Sequence, residues 1–189
     1  MYKYEYMVKF DEYPYPHTYY NLQDAIKDAA SARLEDANMY RNGDLIAMWI
    51  HEEEKFILFD ERKSLQKAFD RFELNSALTI DAVNEEIKSI AEKCSVEVVE
   101  DWYFKENGLL KVKQDLENTA TVDIKQDYDT AKDIDGWTVY KLIINPHICS
   151  MKSNSTPQEL YKVAEQVKQM AEFAEMLIAK KMKLKVKKG

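Results

Sequence analysis

Residues 2–10, Tyr2-Lys3-Tyr4-Glu5-Tyr6-Met7-Val8-Lys9-Phe10, set aromatic and β-branched side chains in alternation with Lys3, Glu5, Met7 and Lys9. A period of two residues belongs to a strand with one buried and one solvated face. Strands of that kind build antiparallel sheets covered by helices on a single side. The stretch therefore points to an α+β fold: mainly antiparallel sheet or sheets, helices packed on one face, and a long C-terminal helix.

Tyr13-Pro14-Tyr15-Pro16-His17 cannot prolong the ladder, because each proline lacks its N–H. Asn21 is a helix cap with Asp24 near the positive end, and Leu22, Ile26, Ala29, Ala30, Arg33 and Ala37 keep helical spacing until Asn42-Gly43. Leu45–His51 and Phe56–Asp60 read as strands joined by the charged link Glu52-Glu53-Glu54-Lys55. Residues 1–63 thus form a strand-helix-hairpin subdomain. Leu65, Ala68, Phe69 and Phe72 mark a helical connector over 64–78.

Residues 79–189 hold a helix, an antiparallel sheet and the C-terminal helix, either as a second domain or continuous with the first. Thr79 caps a helix whose apolar face is Ile80, Val83, Ile87, Ile90 and Ala91. Val96 and Val98 begin a strand, and Asn107-Gly108 between Trp102-Tyr103-Phe104 and Leu109-Leu110-Lys111-Val112 is a hairpin signal. Ala120, Val122 and Ile124 alternate, whereas Trp137–Ile144 is apolar on both faces and reads as a central strand. Thr156-Pro157-Gln158-Glu159 is a capping box with proline at the first helical position. The stripe Leu160, Val163, Val167, Met170, Ala174 and Leu177 serves either the chain's own sheet or a homodimer seam through the 157–180 helix.

Composition removes several function classes. With 46% hydrophobic residues, four Gly and four Pro in 189 residues, the chain builds a core rather than staying disordered. No apolar run approaches the roughly 18 residues of a membrane span, and the start lacks a signal-peptide stretch, so a cytoplasmic protein without membrane contact is expected. Two cysteines make no disulfide framework. Four glycines leave no phosphate cradle. His51-Glu52-Glu53-Glu54-Lys55 starts like a zinc-protease motif, but Lys55 stands where the second histidine belongs. Aligned on Asp133 and Asp135, a calcium loop would need ligands at Ala131 and Leu142, so Asp127–Asp135 is expected to be a solvated loop between strands. No metal and no cofactor are expected.

Charge carries more information. The net −7 hides a tail with six lysines (180, 181, 183, 185, 187 and 188); without them, 21 basic residues face 34 acids, a body charge of −13. The tail is expected to be a solvated helix end, and it is the one route to direct nucleic-acid binding. Glu52, Glu53 and Glu54 share a turn, and Glu100 to Asp135 holds ten acids against five lysines, among them Asp127, Asp129, Asp133 and Asp135. Seven of twelve tyrosines lie in the first twenty residues, of which Tyr13, Tyr15, Tyr19 and Tyr20 fall outside the strand core. A large rigid ring loses little entropy on binding, so Tyr13 and Tyr15 suit an interface.

Glu52, Glu53, Glu54, Asp127, Asp129, Asp133, Asp135, Tyr13 and Tyr15 are accordingly expected to form the contact surface of a non-catalytic protein-binding module. The matching partner is a basic protein such as a nucleic-acid-processing enzyme, blocked by acids that imitate phosphates. A phage or mobile-element anti-defence inhibitor of the anti-CRISPR type, acting in the host cytoplasm, fits that description. The alternative is a small cysteine-dependent enzyme with Cys94 or Cys149 as nucleophile and His147 as base.

Overall fold

In the computed structural model, which describes residues 4–32, 35–99, 108–116, 120–148 and 155–189, Tyr6, Val8 and Phe10 are buried on β1 (Tyr6–Phe10) while Lys9 is exposed, as the alternation requires. The chain divides into two compact units, Met1–Asn75 and Ser76–Gly189. Among the described residues each unit holds one five-stranded sheet with antiparallel pairing throughout, and the class is α+β.

In the first unit, β2 (His17–Tyr19), β3 (Ala37–Arg41), β4 (Asp44–Ile50) and β5 (Lys55–Leu58) join β1 in the order β2-β1-β3-β4-β5. α1 (Leu22–Ser31) starts at Asn21, whose side chain accepts from the Gln23 N–H at 2.9 Å. It lays Ala25, Ile26 and Ala29 on the buried side of the sheet. The helical spacing read as far as Ala37 overruns: α1 stops at Ser31, and Ala37, Met39 and Arg41 alternate as the buried residues of β3. Alanine satisfies either period, so partners across the sheet decide between them. Asn42-Gly43 ends no helix; with φ of 50° and 92° it makes the tight β3–β4 turn.

α2 (Lys63–Ser76), expected as a connector, contributes Leu65 and Phe69 to the first unit's core. Phe56 of β5 lies 4.8 Å from Trp49 and 4.9 Å from Phe69, ring centroid to ring centroid, a packing range that adds to simple burial. Arg41 is buried with its guanidinium 3.5 Å from the centre of the Tyr4 ring, so the ring's electrons meet a cation that has left water.

The second unit orders its strands β10-β9-β8-β7-β6: β6 (Glu97–Val99), β7 (Lys111–Leu116), β8 (Ala120–Ile134), β9 (Trp137–Ile148) and β10 (Lys183–Lys187). α3 (Ile80–Cys94) and α4 (Pro157–Ala179) cover one face, packing Val83, Ile87 and Ile90 with Met170, Phe173 and Leu177 against Val112, Val122 and Ile124. Thr79 caps α3 and Thr156 caps α4, where Thr156 and Glu159 exchange both bonds of a capping box. Buried Gln114 donates to the Ser95 carbonyl at 3.1 Å and to Gln169 Oε1 at 3.0 Å, so its burial leaves its amide donor paired. Asn84 of α3 donates to the Gly108 carbonyl at 2.7 Å and accepts from the Leu110 N–H at 3.0 Å, tying the start of β7 to the helix.

Two expectations change here. Asp127–Asp135 is no loop: residues to Ile134 belong to the long strand β8, and Asp135-Gly136, with φ of 47° and 80°, makes a tight hairpin turn into β9. The lysine tail is no solvated helix end: α4 stops at Ala179 and the chain returns as β10, paired with β9 from Lys183↔Lys141 to Lys187↔Trp137. Of the α4 stripe, Val163, Met170, Ala174 and Leu177 are buried within the unit, while Leu160 is exposed. The residues 102–107 of the expected hairpin lie outside the described residues.

Candidate interaction surface

Antiparallel pairing fixes where the connections of the first sheet emerge. β1 and β4 both run against β3, so they run the same way, and the β1–β2 connection and the β4–β5 turn leave the sheet at one end. β3 enters at that end, after Glu35 and Asp36. Side chains tie the three segments together: the Glu12 N–H donates to Glu35 Oε2 at 2.6 Å, and the His51 N–H donates to Asp36 Oδ1 at 2.7 Å. This end of the sheet therefore gathers Asp11, Glu12, Glu35, Asp36 and Glu52, Glu53 and Glu54. Lys55 is ion-paired with Glu53 and removes part of that charge.

Tyr13 and Tyr15 stand on the same end, 51% and 72% exposed. Tyr13 is not loose: its ring meets His17 edge-on at 5.7 Å, His17 meets buried Phe10 at 5.4 Å, and His17 Nδ1 lies 2.9 Å from Asp28 Oδ2 on α1. A ring fixed before contact loses less freedom on binding. Tyr19 serves another purpose, since it is half-buried and its hydroxyl pKa is pushed up by burial and by the hydrogen bond to Asp28. Tyr20 is exposed but follows β2, at the opposite end of the sheet.

Glu52, Glu53, Glu54, Tyr13 and Tyr15 thus come together. Asp127, Asp129, Asp133 and Asp135 belong to the second unit. They are also not one cluster. Asp127 sits opposite Ile143, and a register shift between Tyr128 and Ala131 separates it from Asp133, which is opposite Thr138. Asp133 is neutralised locally: Lys188 Nζ lies 2.7 Å from Oδ2 and Thr138 Oγ1 donates to Oδ1 at 3.3 Å, so the lysine holds its carboxyl below the usual range.

The arrangement of Cys94 with His147 does not assemble. Cys94 is buried at the end of α3, its Sγ 3.7 Å from Met176 Sδ, and burial, reinforced by Glu172, pushes the thiol pKa up, away from a thiolate. His147 lies opposite Asp123 on β9, on the sheet face away from the helices and from Cys94. Cys149 lies outside the described residues. Among the described residues, no group of three His, Cys, Asp or Glu side chains is placed to hold a metal ion, and no helix is long and apolar enough to cross a membrane.

Sequence reasoning missed Glu35 and Asp36 as members of the surface. They stand 24 residues from Asp11 and Glu12, and no spacing rule joins them; only the β1–β3 pairing does. No family model, no curated protein and no solved structure matches this chain.

Proposed function

We propose that the chain is a non-catalytic protein-binding module whose contact surface is the acidic, tyrosine-bearing end of the first sheet. One observation carries the reading: seven carboxylates from three separate segments, with two exposed tyrosines, converge on one rigid end of a sheet. The partner is a protein with a basic surface. Complementary charge accelerates encounter and selects the partner, while Tyr13 and Tyr15 supply desolvated area at the centre of contact. A nucleic-acid-processing enzyme carries such a surface, and blocking it in the cytoplasm is the action of an anti-defence inhibitor of the anti-CRISPR type.

The test is an affinity capture from host lysate at low and high salt, read by mass spectrometry, with three baits: the natural chain, Tyr13→Ala with Tyr15→Ala, and Glu52→Lys with Glu53→Lys and Glu54→Lys. The expected result is one basic partner retained at low salt and lost by both variants. Reversal of exposed Glu165, Glu172 and Glu175 on α4 changes the same charge elsewhere and leaves capture intact. Loss of capture with the α4 reversal as well would mean that net charge, not this surface, drives binding.

A further inference from the structure

The first sheet has a second face that departs from the pattern of its core face. Val8, Met39, Ala47 and Leu58 stand in register across β1, β3, β4 and β5 and point into the core, where α1 and α2 also pack, so the residues between them point to the opposite face. An antiparallel sheet with one face packed carries polar residues on the other. Here the other face carries Met7, Tyr40, Leu45, Met48, Ile50 and Ile57, joined through the pairs Met7↔Tyr40, Tyr40↔Leu45 and Met48↔Ile57. Leu45 and Ile57 are exposed and the other four are half-buried. Phe59, exposed and one residue past β5, keeps the parity of Ile57, and its N–H still donates to the Ile46 carbonyl at 3.0 Å. Single exposed apolar side chains need no explanation, whereas a connected patch of them marks a contact.

The charges on this face select the occupant. Along β1 the face reads Glu5, Met7, Lys9: an exposed acid and an exposed base on either side of an apolar residue. Glu5 is held in line by two bonds to the β3–β4 turn, its N–H donating to Asn42 Oδ1 and its carbonyl accepting from the Asn42 N–H, each at 2.9 Å. The strip is complementary to itself reversed. A two-fold axis lying across the strands at the level of Met7, Tyr40 and Leu45 sets Glu5 of each copy over Lys9 of the other, and brings those three apolar residues against their own equivalents. An axis along the strands instead lays Lys9 over the row of Met48 and Ile57, which stand level with it through Asn38. Size agrees as well. Five strands about 4.8 Å apart, the longest of seven residues, span on the order of 600 Å² per copy, the lower edge of specific interfaces.

We infer that the chain forms a two-fold homodimer through this face, sheet on sheet, with β1 of one copy lying over β1 of the other in the reverse direction. Facing sheets pack about 10 Å apart at a small angle, so Tyr40 meets its equivalent as an aromatic pair at the centre while Glu5 and Lys9 close the contact on either side. The acidic ends of the two copies then point away from each other and stay free, and the inference stands whether or not those ends bind a partner. A lipid surface fits less well, because Asp11 and Glu12 border the face at one end and Asp44 and Glu61 at the other, where they repel anionic headgroups.

The experiment is sedimentation velocity of the full chain from about 1 to about 200 μM, the range in which a small specific interface dissociates. A reversible monomer–dimer equilibrium is expected, and a chain that stays monomeric throughout overturns the inference. Leu45→Lys with Ile57→Lys sets like charges in the apolar centre and is expected to weaken the dimer more than a hundredfold. Glu5→Lys alone and Lys9→Glu alone each reverse both symmetric pairs and are expected to weaken it about tenfold. Mixing those two variants restores complementary pairs between unlike copies and is expected to return the natural affinity, as is Glu5→Lys with Lys9→Glu in one chain. Failure of both restorations in folded variants overturns the inference. Leu160→Lys with Ile178→Lys, exposed on α4, is expected to leave the dimer intact. Dissociation by that pair and not by the β4–β5 pair would give the contact to the C-terminal helix instead. Circular dichroism of each variant separates lost association from lost fold. A monomeric chain that floats with phosphatidylcholine vesicles, and no longer does so after Leu45→Lys with Ile57→Lys, would assign the face to lipid.

Discussion

The two sheets of this protein share size and pairing but carry charge in different places. The first gathers its acids at one end, in the connections between strands; the second spreads lysines over one face, within the strands. A connection is free to take any polar residue, so charge there is not tied to either face of the sheet. A strand position belongs to a face through its parity, so lysines at Lys183, Lys185 and Lys187 project together only because the segment is extended. Had the tail stayed helical, the same residues would have pointed around the helix axis and no face would exist.

The largest effect expected in a test of this contrast is on the helical cover that leaves the lysine face as the second sheet's other side. Phe173 is fully buried between α4 and the sheet, and Phe173→Ala is expected to lower unfolding free energy by about 3–5 kcal/mol, measured by urea denaturation. A loss below about 1 kcal/mol would remove α4 from the core and undo the assignment of faces. The acidic end is tested next by Glu52→Lys, Glu53→Lys and Glu54→Lys. Association with the captured partner is expected to slow by about tenfold or more at low salt, with the difference shrinking as salt rises. Stopped-flow mixing reads it, and equal rates would mean that the acidic end does not steer association.

A smaller effect concerns the entry to β7. Gly108 has φ of 75°, and a Cβ there would come 3.0 Å from Ile80 Cγ2, so Gly108→Ala is expected to destabilise the second unit by about 1 kcal/mol or more in the same urea assay. The smallest effect contrasts one acid in each unit. Asp60 accepts from the Arg62 backbone N–H at 3.0 Å and from Arg62 Nε at 2.8 Å, which lowers its pKa to about 2. A carboxyl with a lowered folded pKa stabilises fully above its unfolded pKa of about 4 and loses that contribution as pH falls through 2. Asp60→Asn is therefore expected to be less stable than the natural chain at neutral pH and to converge with it between pH 4 and pH 2 in acid titration. Asp133→Asn, which removes the partner of Lys188, should converge in the same acid direction.

Local chemistry made some elements legible. Thr156-Pro157-Gln158-Glu159 supplies its own donors and acceptors, so the start of α4 needed nothing from the rest of the chain. Thr79 likewise announced α3, and Tyr6, Val8 and Phe10 announced β1. Ala37 failed as a guide because a small side chain fits helix and strand equally, and the strand won through five pairings with β1. Lys183–Lys187 failed because alternating lysine with Leu184 and Val186 looks like a polar tail until Tyr140 and Thr138 stand opposite. Of the acidic end, Tyr13, Tyr15, Glu52 and Glu53 were readable as exposed, whereas the half-burial of Glu54 and the meeting with Glu35 and Asp36 were not.

By itself the sequence determined the α+β class, the helix starts and the residues too polar to enter a core, because caps and two-residue alternation act between near neighbours. Tertiary structure alone decided which charges share a surface. It brought Asp11, Glu12, Glu35, Asp36 and Glu52–Glu54 to one end, divided Asp127 from Asp133, turned the lysine tail into a strand, and put Cys94 and His147 on opposite sides of a sheet. The physical reason is that strand pairing couples residues tens of positions apart, and one residue of register moves every side chain to the other face.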